Sequence, residues 1–467
     1  MLLVLLCLAQ FMLIIDITVV QVALPSIGAD LELGREALTW VVTTYTLCFG
    51  GLMVLGGRLA DTFGARRTLM TGLAVFTLAS LLCGLAPGGG PLIAGRALQG
   101  VGAALLSPAA LAVITTAFHG ERRTRALAVW AAIGGTGAAV GVLLGGLLTA
   151  GPGWAWAFFV NVPVGLAVLA ALPAVLPASA PARPAGRRLD VPGALLVTAA
   201  TALLIYGLVA AGEAGWGTAG LWLAASAALY AAFVWVERVS AAPLMRAATL
   251  ARRPVLSGTF VMLTATGLML GLFFLSSLYL QRELGYGALE TGLLFLPVAI
   301  AITLGAHLGG RLIGRVGGRP VAVGAFVLTA AGAALMSRVS PEAGVLTTLL
   351  PGFVVAAFGI GPAFVTATAT TMANVPPGEA GVASGVINTF HELGGSIGVA
   401  LVSSLAVGGF PSALAWCAGA AAVAAAAAIA LVPAGRPAAL VGHGHGHGQH
   451  DVTAGPDHGH GHGHGHG

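Results

Sequence analysis

Fourteen apolar stretches divide this chain almost from end to end, and they constrain its fold more tightly than any other feature. They lie near 2–27, 39–60, 68–86, 91–118, 126–149, 155–176, 191–211, 217–236, 255–280, 288–310, 320–337, 344–372, 380–407 and 411–432. About 20 mostly apolar residues suffice for a helix to cross the hydrocarbon core of a bilayer. Charged residues make up 8% of the chain and hydrophobic ones 57%, against about 25% charged in a soluble domain. So few charges cannot cover a water-soluble fold of this size. In lipid the backbone must satisfy its own hydrogen bonds, so runs of this length predict membrane-spanning helices. The expected fold is all-α, with no segment large enough for a soluble enzymatic domain.

The basic residues are all arginine, and with the Ala and Gly excess this suggests a bacterium with a GC-rich genome. Their placement alternates. Loops on one side hold Arg58, Arg66, Arg67, Arg122, Arg123, Arg125, Arg183, Arg187, Arg188, Arg238, Arg246, Arg252, Arg253, Arg311, Arg315 and Arg319, with Arg436 in the tail; loops on the other hold Arg35, Arg282 and Arg338. Positive charge accumulates on the cytoplasmic side, so both termini are expected in the cytoplasm of a bacterial cell, with the chain multi-pass in its membrane. The arginines form no continuous patch, which argues against a nucleic-acid partner. The first span lacks a basic leader and carries Asp16, which predicts a retained helix and no cleaved signal. Cys7, Cys48, Cys83 and Cys417 stand singly in apolar runs and read as small packing residues.

An internal repeat sets the organisation. GGRLADTFGAR runs from Gly56 to Arg66, and GGRLIGRVGGR from Gly309 to Arg319, at equivalent places if the seventh and eighth spans are an insertion. The expected layout is a six-helix half over 1–180, two central helices with their linkers over 181–250, and a second six-helix half over 251–435. A disordered Gly/His-rich cytoplasmic tail over 436–467 completes it. Repeated halves that rock about a central site are a common plan among secondary transporters.

A few residues stand out against the apolar background. Asp16 lies in mid-span, where a carboxylate costs about 2.5–3.5 kcal/mol on insertion scales; it reads as a proton or cation site, a helix-pairing residue, or a structural hydrogen bonder. Arg96, in the fourth span, needs a carboxylate or carbonyl partner, or must snorkel to the interface. Gly137, Gly141 and Gly145, spaced by four and followed by Gly146, mark a face for close helix packing or a hinge. His307, His391 and Glu392 are second-half candidates for a proton relay or for satisfied core positions. Trp154, Trp156 and Trp216 sit at span ends as interfacial anchors.

GGRLADTFGARR resembles the cytoplasmic loop motif of the major facilitator superfamily. LIIDITVVQVALPSI, LIAGRALQGVGAALLSPAAL, GGTGAAVGVLLGGLLTAGPGWAWAFFVNVPVG, YLQRELGYGALETGLLFLP and VPPGEAGVASGVINTFHELGGSIG are similar to signatures of its fourteen-helix drug/proton antiporter branch, of the multidrug efflux type. The resemblance covers nearly the whole chain apart from the tail. It implies the major facilitator fold with fourteen transmembrane helices as 6+2+6 in pseudo-symmetric halves. It also implies a role for Arg96 in proton coupling, and a cytoplasmic latch between the halves formed by Gly57, Arg58, Asp61, Gly64, Arg66 and Arg67. Four positions depart from the pattern. Val142 follows Gly141 where the branch carries proline, Gly314 stands opposite Asp61 in the repeat, and His391-Glu392 replaces Arg-Gln.

The expected function is proton-coupled export of amphipathic or cationic drugs or antibiotics, with lipid, a small amphipathic substrate and protons as partners. No cofactor is expected. The chain has no GxxxxGK[ST] motif, so an ion gradient is the expected energy source. The alternatives are export or uptake of another metabolite on the same fold, or metal handling through the tail. There His443, His445, His447, His450, His458, His460, His462, His464 and His466, separated mostly by single glycines, are candidate ligands for a divalent metal.

Overall fold

The computed structural model describes residues 1–118, 140–176, 191–214, 216–240, 252–340, 344–372 and 380–434, together with positions 122, 126, 129 and 137. The histidine-bearing tail and the side chain of Asp61 lie outside the described residues.

Each expected span contains a helix. The first six are α1 (Leu2–Asp30), α2 (Arg35–Phe63), α3 (Ala65–Gly84), α4 (Gly89–Ala117), α5 (Val140–Ala150) and α6 (Trp156–Val175). Then come α7 (Val191–Ala214) and α8 (Trp216–Val239). The last six are α9 (Arg253–Leu278), α10 (Ala288–Val316), α11 (Gly318–Met336), α12 (Leu349–Met372), α13 (Ala380–Leu405) and α14 (Phe410–Leu431). Among the described residues, twelve of these are long and apolar enough to cross a membrane; Val140–Ala150 and the Leu195–Leu208 part of α7 are shorter apolar helices. Leu78, Leu166, Leu221, Leu304, Trp416 and Val423 point outward, as lipid-facing side chains do in a chain with so little polar surface.

Local chemistry sets the element ends. Pro254 opens α9, where a missing N–H costs nothing. The Glu290 carboxylate accepts the Gly287 backbone N–H at 2.8 Å at the start of α10. At the repeated loops a single residue separates two helices. Gly64 ends α2 and begins α3 at φ 95°, and Gly317 does the same between α10 and α11 at φ 89°. A side chain is disfavoured there. Gly317→Ala is therefore expected to lower stability by on the order of 1–3 kcal/mol. Gly324→Ala, on open space in α11, is expected to be neutral. Melting the two purified variants side by side checks this.

The packing repeats as the loops do. Gly56 lets α2 close onto the backbone of α4 at Ala104, and Gly309 lets α10 close onto α12 at Pro362. Gly137, ahead of α5, and Gly141 and Gly145 of α5 face Ile14, Thr18 and Val19 of α1; on α13, Gly394 and Gly398 face Leu263 and Gly267 of α9. Close contact across glycine faces lets bare backbones gain dispersion energy where lipid offers no hydrophobic drive.

Among the described residues, the two sets of six meet along several helix pairs. Between α1 and α9, Ser277 Oγ donates to the Gln21 carbonyl at 2.7 Å and Gln281 Nε2 to that of Val22 at 2.9 Å. Between α2 and α13, the hydroxyls of Thr39 and Ser403 and those of Thr46 and Ser396 pair at 2.6 Å. Between α5 and α10, Gly146 lies against Ala288 and Gly292. The paired central helices, α7 and α8, are held together by Thr201 with Tyr230 at 2.7 Å and by Ser226 Oγ donating to the Ala200 carbonyl at 2.7 Å. They lie on the outside of one seam. Thr198 of α7 fills the notch at Gly51 of α2. Val197, Ile205 and Leu208 of α7 share a buried cluster with Leu47 of α2 and with Leu393 and Ala400 of α13.

Candidate functional site

Asp16 and Arg96, 80 positions apart, meet inside the first six helices. Arg96 Nη1 of α4 donates to Asp16 Oδ2 of α1, and both side chains are buried. Gln99, one turn after Arg96, accepts from the same Nη1 at 2.8 Å through Oε1; its Nε2 donates to Asp16 Oδ1 at 3.0 Å and to Ser80 Oγ of α3 at 2.8 Å. Asn161 Nδ2 of α6 reaches Asp16 Oδ1 at 2.9 Å. Arg96 Nε donates to the Val41 carbonyl of α2 at 3.0 Å. The guanidinium lies over the Tyr45 ring, 4.3 Å from its centroid, with Phe158 at 5.8 Å. Five helices thus converge on one ion pair.

The electrostatics follow from the count. The Asp16 carboxylate accepts three donors, one of them charged, and its residue has 0% exposure. A charge at this depth survives only when paired and hydrogen-bonded, and this pair has a net charge of zero. Arg96, 1% exposed, does not snorkel to an interface. Cys83 is more than apolar packing, because its thiol donates to Gln99 Oε1 at 3.5 Å. The Tyr45 hydroxyl, also buried, has no hydrogen-bond partner among the described residues. Chemically, a proton delivered to Asp16 would leave Arg96 without its counter-ion and favour another arrangement of the five helices. In this conformation the carboxylate is closed to water.

Sequence reasoning singled out Asp16 and Arg96 separately. It missed Gln99, Asn161 and Ser80. Gln99 was signalled by its spacing of three from Arg96, which places the two on one helix face. Asn161 was signalled by being an amide inside an apolar span.

Several arginines of the repeated loops and nearby helix ends reach backbone carbonyls. Arg66 Nη2 lies 3.5 Å from the Pro173 carbonyl near the end of α6, within its own set of helices. Its repeat partner Arg319 donates through Nε to the Val432 carbonyl after α14 at 2.8 Å, and Arg253 Nη2 donates to that of Ala430 at 2.6 Å. A cation beside helix C-terminal carbonyls is favourable. Arg67 is exposed. Gly57 borders Pro108 of α4 with room to spare, and Gly64 makes the turn. Arg58 has polar contacts of its own.

Of the second-half candidates, His307 is exposed on α10 and bonds only the Thr303 carbonyl of its own helix, at 3.0 Å, among the described residues. His391 and Glu392 do meet, with Nδ1 3.2 Å from Oε1, and the His391 ring lies 5.6 Å from that of Phe364 on α12. Trp154 does more than anchor, since its Nε1 donates to Asp30 Oδ2 at the end of α1 at 2.8 Å. Trp156 is exposed.

The model of the Major Facilitator Superfamily matches residues 6–399 and 255–449. The chain is 43% identical over 418 residues to the puromycin resistance protein pur8 of Streptomyces alboniger, covering 87% of this chain and 82% of that one. It is 40% identical over 422 residues to the cephamycin export protein CmcT of Amycolatopsis lactamdurans, covering 88% and 87%. The lincomycin resistance protein of Streptomyces lincolnensis is 37% identical over 417 residues, covering 86% and 83%. With matches of this extent, the chain belongs to the Major Facilitator Superfamily.

Proposed function

We propose that this protein is a proton-driven exporter of small amphipathic antibiotics or drugs from the bacterial cell, of the fourteen-helix branch, with the Asp16–Arg96 network as its proton-coupling site. The observation that carries this reading is the Asp16 carboxylate, buried at membrane depth and held by Arg96, Gln99 and Asn161 from two other helices. Gaining or losing one proton there changes the charge of the core by one unit. The relatives named for puromycin resistance, cephamycin export and lincomycin resistance support the direction and the kind of cargo. A potential of about 100 mV supplies roughly 2.3 kcal/mol per charge, and a pH gradient adds to it.

Inverted membrane vesicles test the function. Puromycin, a cephamycin and lincomycin are to be offered with and without an imposed pH gradient. Accumulation that collapses when the gradient is dissipated is the expected result. Accumulation that ignores the gradient, or none for any compound in a wider drug panel, would reject it.

The arginine-rich loops face the cytoplasm in this reading, and both termini lie there. Reporters fused to the C-terminal tail and near Glu213, where α7 ends, are expected on opposite sides of the membrane. A same-side result removes the fourteen-span topology.

A further inference from the structure

Nine of the chain's 12 histidines follow α14 in the sequence, and the transport reading does not use them. They form two groups. His443, His445, His447 and His450 make the first, and His458, His460, His462, His464 and His466 make the second. The stretch between them, from Asp451 to Asp457, has no histidine, and within each group single glycines separate most of the histidines. That spacing has a chemical consequence. Alternate side chains of an extended backbone share a face. A His-Gly-His unit therefore offers two imidazoles to one ion, and the glycine between them adds no side chain that competes. Neutral imidazole is a good donor to zinc, nickel and copper. Zinc in a closed site takes four ligands. The first group supplies four imidazoles and the second five, so each can fill one coordination shell without borrowing from the other.

The helices bear on this in two ways. Among the described residues, no three His, Cys, Asp or Glu side chains are grouped so as to hold a metal ion. The four cysteines are free and stand singly on α1, α2, α3 and α14. The described helices therefore offer no rival site, and metal taken up by the protein reports the histidine groups. The end of α14 is also secured from within the bundle. Arg253 of α9 holds the Ala430 carbonyl at 2.6 Å, and Arg319 of α11 holds that of Val432 at 2.8 Å. A chain cut after Val441 keeps both contacts and all fourteen helices.

We propose that residues 443–466 bind two divalent transition-metal ions of the zinc, nickel and copper class, one on each histidine group, with imidazole nitrogens as the donors. The site is separate from the Asp16–Arg96 network, and it stands or falls independently of the exporter reading.

Metal uptake by the purified full-length protein, carrying an affinity tag without histidine, tests this, with zinc alone as the probe. Equilibrium dialysis at neutral pH followed by elemental analysis is expected to give about two zinc ions per chain, at four ligands each. Replacing His443, His445, His447 and His450 by glutamine in the full chain is expected to leave about one, and so is replacing the five of the second group. Replacing all nine, or ending the chain after Val441, is expected to leave none. Excess magnesium, which takes oxygen ligands, is expected to leave zinc uptake unchanged. Dialysis at about pH 5, where a free imidazole is protonated, is expected to release the metal. No zinc on the parent protein at neutral pH overturns the proposal, as does parent zinc content in the ninefold variant. Zinc retained at the lower pH would place it on the carboxylates of Asp451 and Asp457 and overturn the assignment to imidazole. Loss of both ions on removing either group overturns the two-site arrangement.

Discussion

Asp16→Ala is expected to be the most damaging polar substitution in the first six helices. It leaves the Arg96 guanidinium buried against Tyr45 and Phe158 with no anion, and a guanidinium does not discharge by losing its proton. Removing one partner of a buried pair costs about 3–5 kcal/mol, enough to consume much of a membrane domain's margin. The converse change is milder. Arg96→Ala leaves a carboxylate that can neutralise itself by binding a proton, with Gln99 and Asn161 still beside it. Asp16→Ala should therefore melt below Arg96→Ala. The double change Asp16→Ala/Arg96→Leu should recover most of the lost stability without recovering gradient-driven efflux. Arg96→Lys should restore only part, because one ammonium cannot serve Val41, Asp16 and Gln99 in the fork geometry. Thermal melting of the purified variants, with vesicle efflux in parallel, reads both axes. An Asp16→Ala protein that melts with the parent would remove the ion pair from any structural account.

Gly398→Val is expected to be the most damaging change in the second six helices. A Cβ at Gly398 overlaps the backbone of Gly267 on α9, and no flexible side chain stands there to yield. The helices can only move apart, which opens the α9–α13 interface along its length. Overpacking a core costs typically 1–3 kcal/mol and occasionally more; a backbone-on-backbone clash belongs at or above the upper end. Gly419→Val, on open space in α14, is the control and is expected to melt with the parent. Gly141→Ala should fall between them, because the group it meets on α1 is the Thr18 side chain. The comparison is made by melting temperature and by the fraction of protein recovered monodisperse in detergent. Equal behaviour of Gly398→Val and Gly419→Val would show that α9 and α13 have slack.

Much of this architecture was legible because membrane helices are written in long runs and their junctions in glycine. The matched loops at Gly56 and Gly309 led to matched turns at Gly64 and Gly317, each in a backbone conformation that favours glycine. The spacing of Gly137, Gly141 and Gly145 marked the face that meets α1, and their placement against Ile14, Thr18 and Val19 is that of packing positions. The site was legible only in pieces. Asp16 and Arg96 each announced a buried charge in need of a partner, yet single-chain patterns do not say which helices touch. Gln99, Ser80 and Asn161 are neutral, and neutral polar groups in a span carry little signal until their neighbours are known. The arginine contacts at Pro173 and Val432 were hidden for a different reason. Backbone carbonyls at a helix end have no residue type to betray them, so the contacts that Arg66 and Arg319 make within their own sets of helices carried no signal.

The hairpin of α7 and α8 makes the two flanks of the molecule unequal as seen by lipid. Along α2 and α13, Thr198 and the cluster around Val197, Ile205 and Leu208 stand where acyl chains would otherwise lie. A hydrophobic molecule dissolved in the bilayer meets a wall on that flank. Sideways passage there into the space between the halves requires α7 to peel away, at the cost of that buried cluster. Any lateral traffic is biased toward the opposite flank, and the central helices act as a shutter on one side of a two-sided door.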